Sequence, residues 1–289
     1  MKKILAFFAI TLLLFGGCTQ PPDKPLAGNL DTPQIALVIG NASYKQDSLQ
    51  SPINDAAAMA KVLREMDFYV IEGSDLSHQD MNNKIVEFTN VLKQYSKNGG
   101  IALFYFSGHG TGIDEKNYVV PIDAELDSSK PKEEITKNTI STKSISEQMI
   151  ASNSHGANFM ILDSCRNDPF TLGKGYGQNT FIPKPIKGTL TAYSAGKGQL
   201  AKDGTRQGYS LYTKHLLGVL HHHHVKNKPV QIRDVLKSVR NKVYADSKRT
   251  QNPQVQKGDD SGAVERICLG FQECKPRTVP VPRLFPRST

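Results

Sequence analysis

The sequence lacks several features that would indicate other classes of protein. It contains no internal repeat, no low-complexity stretch and no long acidic block, so neither a repeat solenoid nor a disordered chain is expected. The formal net charge is +9, but the basic residues are dispersed and are not interleaved with aromatic residues as in a nucleic-acid-binding segment. We therefore expect a solvated basic surface, attracted at most to anionic membranes or acidic partners, and no nucleic-acid partner. A length of 289 residues suits one large α/β domain.

The chain also lacks an apolar run long enough to span a bilayer permanently. The longest run follows two lysines near the start, so residues 1–17 are predicted to be a signal peptide. It ends in Leu14-Phe15-Gly16-Gly17-Cys18, which resembles a bacterial lipobox and implies that Cys18 carries a lipid. An ordinary secretory signal is the alternative. Residues 18–33, which are rich in proline, would then form a lipidated tether.

The lipobox resemblance implies a location at the cell envelope. Thr19 follows the lipid-bearing position, where lipoproteins held at the inner membrane often carry Asp. In a Gram-negative cell we therefore expect the outer membrane, with the domain facing the periplasm or the cell surface.

Hydrophobic periodicity predicts alternating strands and helices in the rest of the chain. Strands are predicted at 34–40, 68–71, 101–106, 117–121, 159–162, 188–195 and 263–269, and helices at 54–66, 79–95, 144–151, 209–220 and 232–244. The polar segments 125–142 and 168–187 are predicted to be loops, and 271–289 a basic, proline-rich tail. This order predicts an α/β fold with a mostly parallel central sheet of about six strands and helices on both faces.

Two of the predicted strands end in short polar tips. Ser107-Gly108-His109-Gly110 follows one strand, and Asp163-Ser164-Cys165 follows another. In open α/β sheets reactive groups gather beyond the carboxyl ends of the strands, so an imidazole and a thiol would meet at one edge. A thiol becomes a good nucleophile as a thiolate, and a nearby histidine can take its proton. Singly, a buried Cys is usually a small core residue, but the pair indicates catalysis.

These motifs resemble those of the caspase and metacaspase superfamily. His109 precedes Cys165 by a spacing close to the ~50 residues typical of caspases, and Asp-Ser-Cys is similar to the metacaspase form. The resemblance implies a caspase-like peptidase domain over 34–270. Within it, 34–170 is large-subunit-like, 171–187 is an exposed linker loop, and 188–270 is small-subunit-like.

The resemblance further implies a cysteine endopeptidase with a His109 and Cys165 dyad. The backbone N–H groups of Gly110 and Cys165 would bind the oxyanion, and no third catalytic side chain is apparent. A non-catalytic caspase-like module that binds peptides or partners at the envelope is the alternative. A dinucleotide-binding domain is disfavoured, because Gly40-Asn41-Ala42 is not a phosphate-binding loop.

Specificity for Arg or Lys is implied by three residues that match the acidic pocket of metacaspases. These are Asp55 in Pro52-Ile53-Asn54-Asp55-Ala56, Ser107 and Asp163. Two carboxylates can bind a guanidinium bidentately. Alternatively, Asp55 would only interact favourably with the helix dipole, and Asp163 would only orient the Cys165 loop by hydrogen bonds. Related enzymes are often cut between their two halves, so Lys174, Lys184 and Lys187 are predicted sites of self-cleavage.

The remaining chemistry-bearing residues support weaker predictions. With Cys18 and Cys165 assigned, Cys268 and Cys274 are left, and a short-loop disulfide between them is predicted for a protein outside the cytoplasm. The sequence requires no cofactor and predicts no metal ligand set. Calcium, which other metacaspases need, is left open, with Glu133, Glu134 and Asp168 as the surface carboxylates available. The run His221–His224 is expected to follow a helix end, where it would bind metal weakly or have no function.

Overall fold

The central feature of the fold is a six-stranded sheet in the order β2-β1-β3-β7-β8-β9. The computed structural model describes residues 32–127, 129–164, 185–196, 199–205, 207–258 and 264–270. The strands are β1 (Gln34–Gly40), β2 (Tyr69–Ser74), β3 (Ile101–Ser107), β4 (Gly110–Ile113), β5 (Lys116–Val119), β6 (Ile140–Ser141), β7 (Ala157–Asp163), β8 (Thr189–Tyr193) and β9 (Gln254–Lys257). The helices are α1 (Pro52–Glu65), α2 (His78–Tyr95), α3 (Lys132–Lys137), α4 (Thr142–Ser152), α5 (Leu211–Val225) and α6 (Ile232–Asp246).

Five strands of this sheet are parallel, and β9 is antiparallel to β8. Helices cover both faces, so alternate residues of one strand enter two separate cores. Val38 packs in the core with α1, α5 and α6, whereas Leu37 packs in the core with α2 and α4. The predicted α/β fold with a mostly parallel sheet of six strands is confirmed.

The register of the sheet brings three strand ends to one level. Gly40 of β1 lies opposite Ser107 of β3, and Ser107 lies opposite Asp163 of β7. Each strand therefore delivers the segment that follows it to the same edge.

A second, three-stranded antiparallel sheet, β4-β5-β6, begins directly after this edge. Gly110 is the first residue of β4, so His109 lies between the end of the main sheet and the start of the small one. Neither β4 nor β6 was predicted, because strands of four and two residues carry too few positions for a period to show.

Three sequence predictions are wrong in detail. The predicted loop 125–142 contains α3 and β6, where Ile135 is the one buried residue of a charged helix. The predicted strand 263–269 contains a 3₁₀ turn (Val264–Arg266) and a single bridge between Gln231 and Cys268. The last strand is instead β9, an edge strand whose side chains are only half-buried or exposed. The histidine run does not follow a helix end but forms the last turns of α5.

The described helices include none that is both long enough and apolar enough to cross a membrane.

Candidate active site

The side chain of His109 is held by a backbone carbonyl. Its Nε2 lies 2.6 Å from the Asp47 carbonyl oxygen, in the loop after β1. A carbonyl oxygen can only accept, so Nε2 carries the proton in this arrangement and Nδ1 is left as the acceptor of the neutral ring. The sequence showed no third catalytic side chain, and the orienting group is a main-chain oxygen that no motif could reveal.

The backbone around His109 is tightly packed at Gly108. A Cβ atom on Gly108 would lie 2.6 Å from the Tyr44 hydroxyl and 2.8 Å from the ring of Phe106. The Gly108 N–H donates to the Asp163 carbonyl at 3.2 Å, which ties the end of β3 to the end of β7. Glycine is required here by close approach, and the two polar tips are joined through it.

The N–H of Gly110 points away from the β4–β5 ladder. The Val120 N–H donates to the His109 carbonyl at 3.0 Å, so His109 and Val120 form a hydrogen-bonded pair. Gly110 and Val119 are the next pair, and in an antiparallel ladder that position is not hydrogen-bonded. The Gly110 N–H is therefore directed outward, as an oxyanion donor needs to be.

The predicted nucleophile, Cys165, lies outside the described residues. The described chain stops one residue earlier at Ser164, which is buried at the end of β7. The predicted lipid-bearing Cys18, the residues Lys174 and Lys184, and Asp168 and Cys274 also lie outside the described residues.

The three residues predicted to form the acidic pocket lie together. Ser107 Oγ donates to Asp55 Oδ2 at 3.0 Å, and both side chains are buried. The Ser210 N–H donates to Asp55 Oδ1 at 2.9 Å, while the Ser210 hydroxyl donates to Asp163. Thr213 Oγ1 donates to Asp163 Oδ2 at 2.7 Å. Asp55 and Asp163 are thus joined through one serine at the start of α5.

The pKa of each of these two carboxyl groups is raised above its ordinary value. Burial, and then the nearby charge of Asp163, raises the pKa of Asp55 to about 7. Burial also raises the pKa of Asp163. Within the described part of the chain, no Lys, Arg or His forms an ion pair with either group. The cluster is therefore short of positive charge.

A third carboxylate, Asp203, lies beside this pair and was missed in the sequence. It accepts hydrogen bonds from the Gln50 N–H (2.7 Å), the Ser51 N–H (3.1 Å) and Ser51 Oγ (2.6 Å). Ser51 Oγ also lies 3.0 Å from Asp55 Oδ2. One hydroxyl has one hydrogen, so both contacts are satisfied together when Asp55 is protonated and donates to Ser51.

Ser210 and Thr213 were also missed, although one signal was available. Ser210 is the N-cap of α5, and its Oγ accepts from the Thr213 N–H. A serine before an apolar helical period predicts such a cap. Its contact with Asp55, 155 positions away along the chain, depends on the packing of α5 against the sheet.

The other predicted site residues lie outside the acidic cluster. Lys187 is exposed in the turn before β8. Cys268 is disulfide-bonded, but its partner is outside the described residues, so the pairing with Cys274 stays a prediction. Glu133 and Glu134 lie in the first turn of α3, and Glu134 pairs with Lys130. No group of three metal-ligating side chains occurs in the described ranges.

Comparison with known proteins identifies the family. The family model of the caspase domain matches residues 33–260, and the chain belongs to this family of cysteine peptidases. The resemblance to the caspase and metacaspase superfamily is thereby confirmed.

Two curated relatives and one solved structure agree with this assignment. The human mucosa-associated lymphoid tissue lymphoma translocation protein 1 is 31% identical over 148 residues, which cover 51% of this chain and 16% of that protein. The mouse homolog is 31% identical over 149 residues, covering 51% and 17%. The matches therefore span well under two thirds of each relative. The Drosophila initiator caspase Dronc has a similar fold, with a TM-score of 0.55 at 12% identity over 78% of this chain and 80% of that chain.

Proposed function

We propose that the protein is a cysteine endopeptidase that uses His109 and Cys165 to cleave peptide bonds after Arg or Lys. The observation that supports the dyad is the hydrogen bond that orients the His109 ring. Its Nε2 is held by the Asp47 carbonyl, so Nδ1 is the ring nitrogen left to accept a proton, at the edge where β7 ends two residues before Cys165. Where a base activates a nucleophile, a third group typically fixes the orientation of that base.

The proposed reaction has two steps. Nδ1 of His109 takes the proton of the Cys165 thiol, and the thiolate attacks the scissile carbonyl carbon. The outward N–H of Gly110 and the N–H of Cys165 stabilise the oxyanion. Collapse breaks the C–N bond, His109 protonates the leaving amine, and a thioester remains. Water, deprotonated by His109, then hydrolyses the thioester and restores the thiol.

The proposed specificity is supported by the acidic cluster, which has no cationic partner among the described residues. Asp55 and Asp163 are buried without a cationic partner in the described chain, and Asp203 adds a third acid linked through Ser51. An unpaired buried charge is unfavourable by several kcal/mol, so a guanidinium or ammonium that enters replaces the proton. An Asp side chain at the same position would meet like charge.

The dyad is tested with single variants of the full chain. Cys165→Ala and His109→Ala should each abolish cleavage of an Arg-containing fluorogenic peptide while circular dichroism and the melting temperature stay near wild type. Turnover retained by either purified variant would refute the dyad. If wild type binds peptides but never cleaves them, the non-catalytic module at the envelope is the better description.

The location is proposed on the sequence alone. A lipid on Cys18 would anchor the domain to the envelope membrane through residues 18–33. Cys18→Ser should move the protein from the membrane fraction to the soluble fraction without changing peptidase activity. Equal incorporation of labelled fatty acid into both forms would refute the anchor.

A further inference from the structure

We propose that Tyr44 is a positioning residue for His109, because its hydroxyl takes the place of one of the two backbone hydrogen bonds between His109 and Val120 and so fixes the position of the histidine. This inference rests on the proposed function of His109. The motif analysis assigned no role to Tyr44, which follows β1 in the same loop as Asp47.

The evidence is an interrupted pair at the start of the ladder. His109 and Val120 lie opposite each other, and Val120 N–H donates to the His109 carbonyl at 3.0 Å. Such a pair normally exchanges two hydrogen bonds. Here the second is replaced, because the His109 N–H donates to the Tyr44 hydroxyl at 2.9 Å and that hydroxyl donates to the Val120 carbonyl at 3.0 Å.

The surroundings are built to keep the Tyr44 hydroxyl in this position. The missing side chain of Gly108 leaves the space that the hydroxyl fills. Tyr44 is buried, and burial raises the pKa of its hydroxyl far above the usual range, so the group stays a neutral donor and acceptor. Its ring lies against the imidazole of His109, with centroids 4.4 Å apart.

His109 is therefore fixed at three points by one loop. Tyr44 binds its backbone N–H and packs against its ring, and the Asp47 carbonyl holds Nε2. With the hydroxyl removed, the His109 N–H and the Val120 carbonyl either close the ladder or take up water. Both outcomes shift Nδ1, and a displacement of about 1 Å at a reacting group costs up to roughly 100-fold in rate.

The test compares Tyr44→Phe with Tyr193→Phe in the full chain. Tyr193 is also buried, and its hydroxyl bridges Asn117 and Gln256 rather than His109. We expect Tyr44→Phe to lower kcat for an Arg peptide by roughly tenfold to 100-fold with KM within about twofold. Tyr193→Phe should lose comparable thermal stability and keep kcat.

A second readout follows the thiol itself and needs no turnover. The rate of alkylation of Cys165 by iodoacetamide, measured by mass spectrometry between pH 5 and 9, reports how strongly His109 stabilises the thiolate. In Tyr44→Phe the midpoint should move up toward the ordinary thiol pKa of about 8.5. An unchanged midpoint and an unchanged kcat in Tyr44→Phe would overturn the proposal. An equal loss of kcat in Tyr193→Phe would also overturn it. If wild type cleaves no peptide but the midpoint still moves, the proposed function fails while the role of Tyr44 stands.

Discussion

At the scale of single residues, the site is defined by two buried carboxyl groups that form no ion pair with any described residue. Asp55 accepts hydrogen bonds from the Ser107 hydroxyl and the Ser210 N–H, yet its pKa is still raised to about 7. Desolvation and the nearby Asp163 therefore outweigh the hydrogen bonds. Under the proposed specificity, a substrate cation that enters this site would replace the Asp55 proton.

The raised pKa of Asp55 predicts an unusual dependence of stability on pH. Below about pH 4 the folded and unfolded chains both hold the Asp55 proton, and the group contributes nothing. As the pH rises toward 7, the unfolded chain releases the proton and the folded chain retains it, so the free energy of unfolding falls. Urea unfolding should show that Asp55→Asn gains stability relative to wild type between pH 4 and 7.

Asp75 provides a control of opposite sign. Hydrogen bonds from Ser43 and from the Ala42 N–H lower its pKa, so its stabilising contribution is present above the ordinary carboxyl pKa and is lost as the pH falls. Asp75→Asn should therefore lose stability relative to wild type as the pH rises. If both variants changed in the same direction, the Asp55 assignment would be wrong.

The protonation of Asp55 also predicts how KM for an Arg peptide depends on pH. An ionised Asp55 attracts an Arg side chain, so KM for an Arg peptide should fall as the pH rises through about 7, where Asp55 titrates. Asp55→Asn should raise this KM by roughly tenfold or more, since a charge-assisted hydrogen bond contributes about 1.5–3 kcal/mol. A matched citrulline peptide, which has the same shape without charge, should respond weakly. Steady-state kinetics across pH 6–9 would test this expectation. A wild-type KM that does not change with pH would contradict the account.

At the scale of elements, the start of α5 closes the site. Ser210 caps the helix and binds both acids of the pair. Ser77 caps α2 in the same way and touches neither acid. Variants of the two serines therefore distinguish the loss of a helix cap from the loss of contacts with Asp55 and Asp163.

Replacing each cap with alanine should give different results. Ser77→Ala should cost about 1 kcal/mol of stability, the usual value of an N-cap, and leave activity unchanged. Ser210→Ala should cost about 1–3 kcal/mol more, because it removes a hydrogen bond to the buried Asp163. It should also raise KM for an Arg peptide. Equal losses in urea unfolding and unchanged KM would show that Ser210 acts as a cap alone.

The elements that could be predicted from the sequence are those with a complete hydrophobic pattern. The strand 34–40 and the helix 79–95 were predicted within a residue, because buried strands are continuously apolar and α2 repeats Met81, Ile85, Phe88 and Leu92 on its buried face. The start of α1 was placed two residues late, at 54 rather than Pro52. The edge strand β9 was missed because neither face is buried.

At the scale of the whole molecule, the sheet assembles the site from distant segments. Ser107 and Asp163 could be proposed from the sequence because each lies at the carboxyl end of a parallel strand. Asp55, in the first turn of α1, could be proposed because its surroundings match the metacaspase motif. Asp203, Ser210 and the Asp47 carbonyl could not, since they reach the site through helix packing and loop conformation. The polar tips were thus predictable, and the groups that orient them were not.

Self-cleavage is a prediction at this scale. Lys187 is exposed and lies between the predicted large-subunit-like and small-subunit-like halves, and Lys174 and Lys184 precede it in the sequence. Intact mass spectrometry of purified wild type should detect cuts after one or more of these lysines, whereas Cys165→Ala should remain whole. Identical fragments in both proteins would point to another protease.

The most direct test of the account is a competition among four peptides that differ only at the cleavage position. They carry Arg, Lys, citrulline or Asp, and kcat/KM is measured for the full-length wild type and for Cys165→Ala. The account predicts cleavage after Arg and Lys at rates roughly tenfold to 100-fold above citrulline, none after Asp, and no turnover by Cys165→Ala. Equal rates for Arg and citrulline, or a preference for Asp, would contradict it.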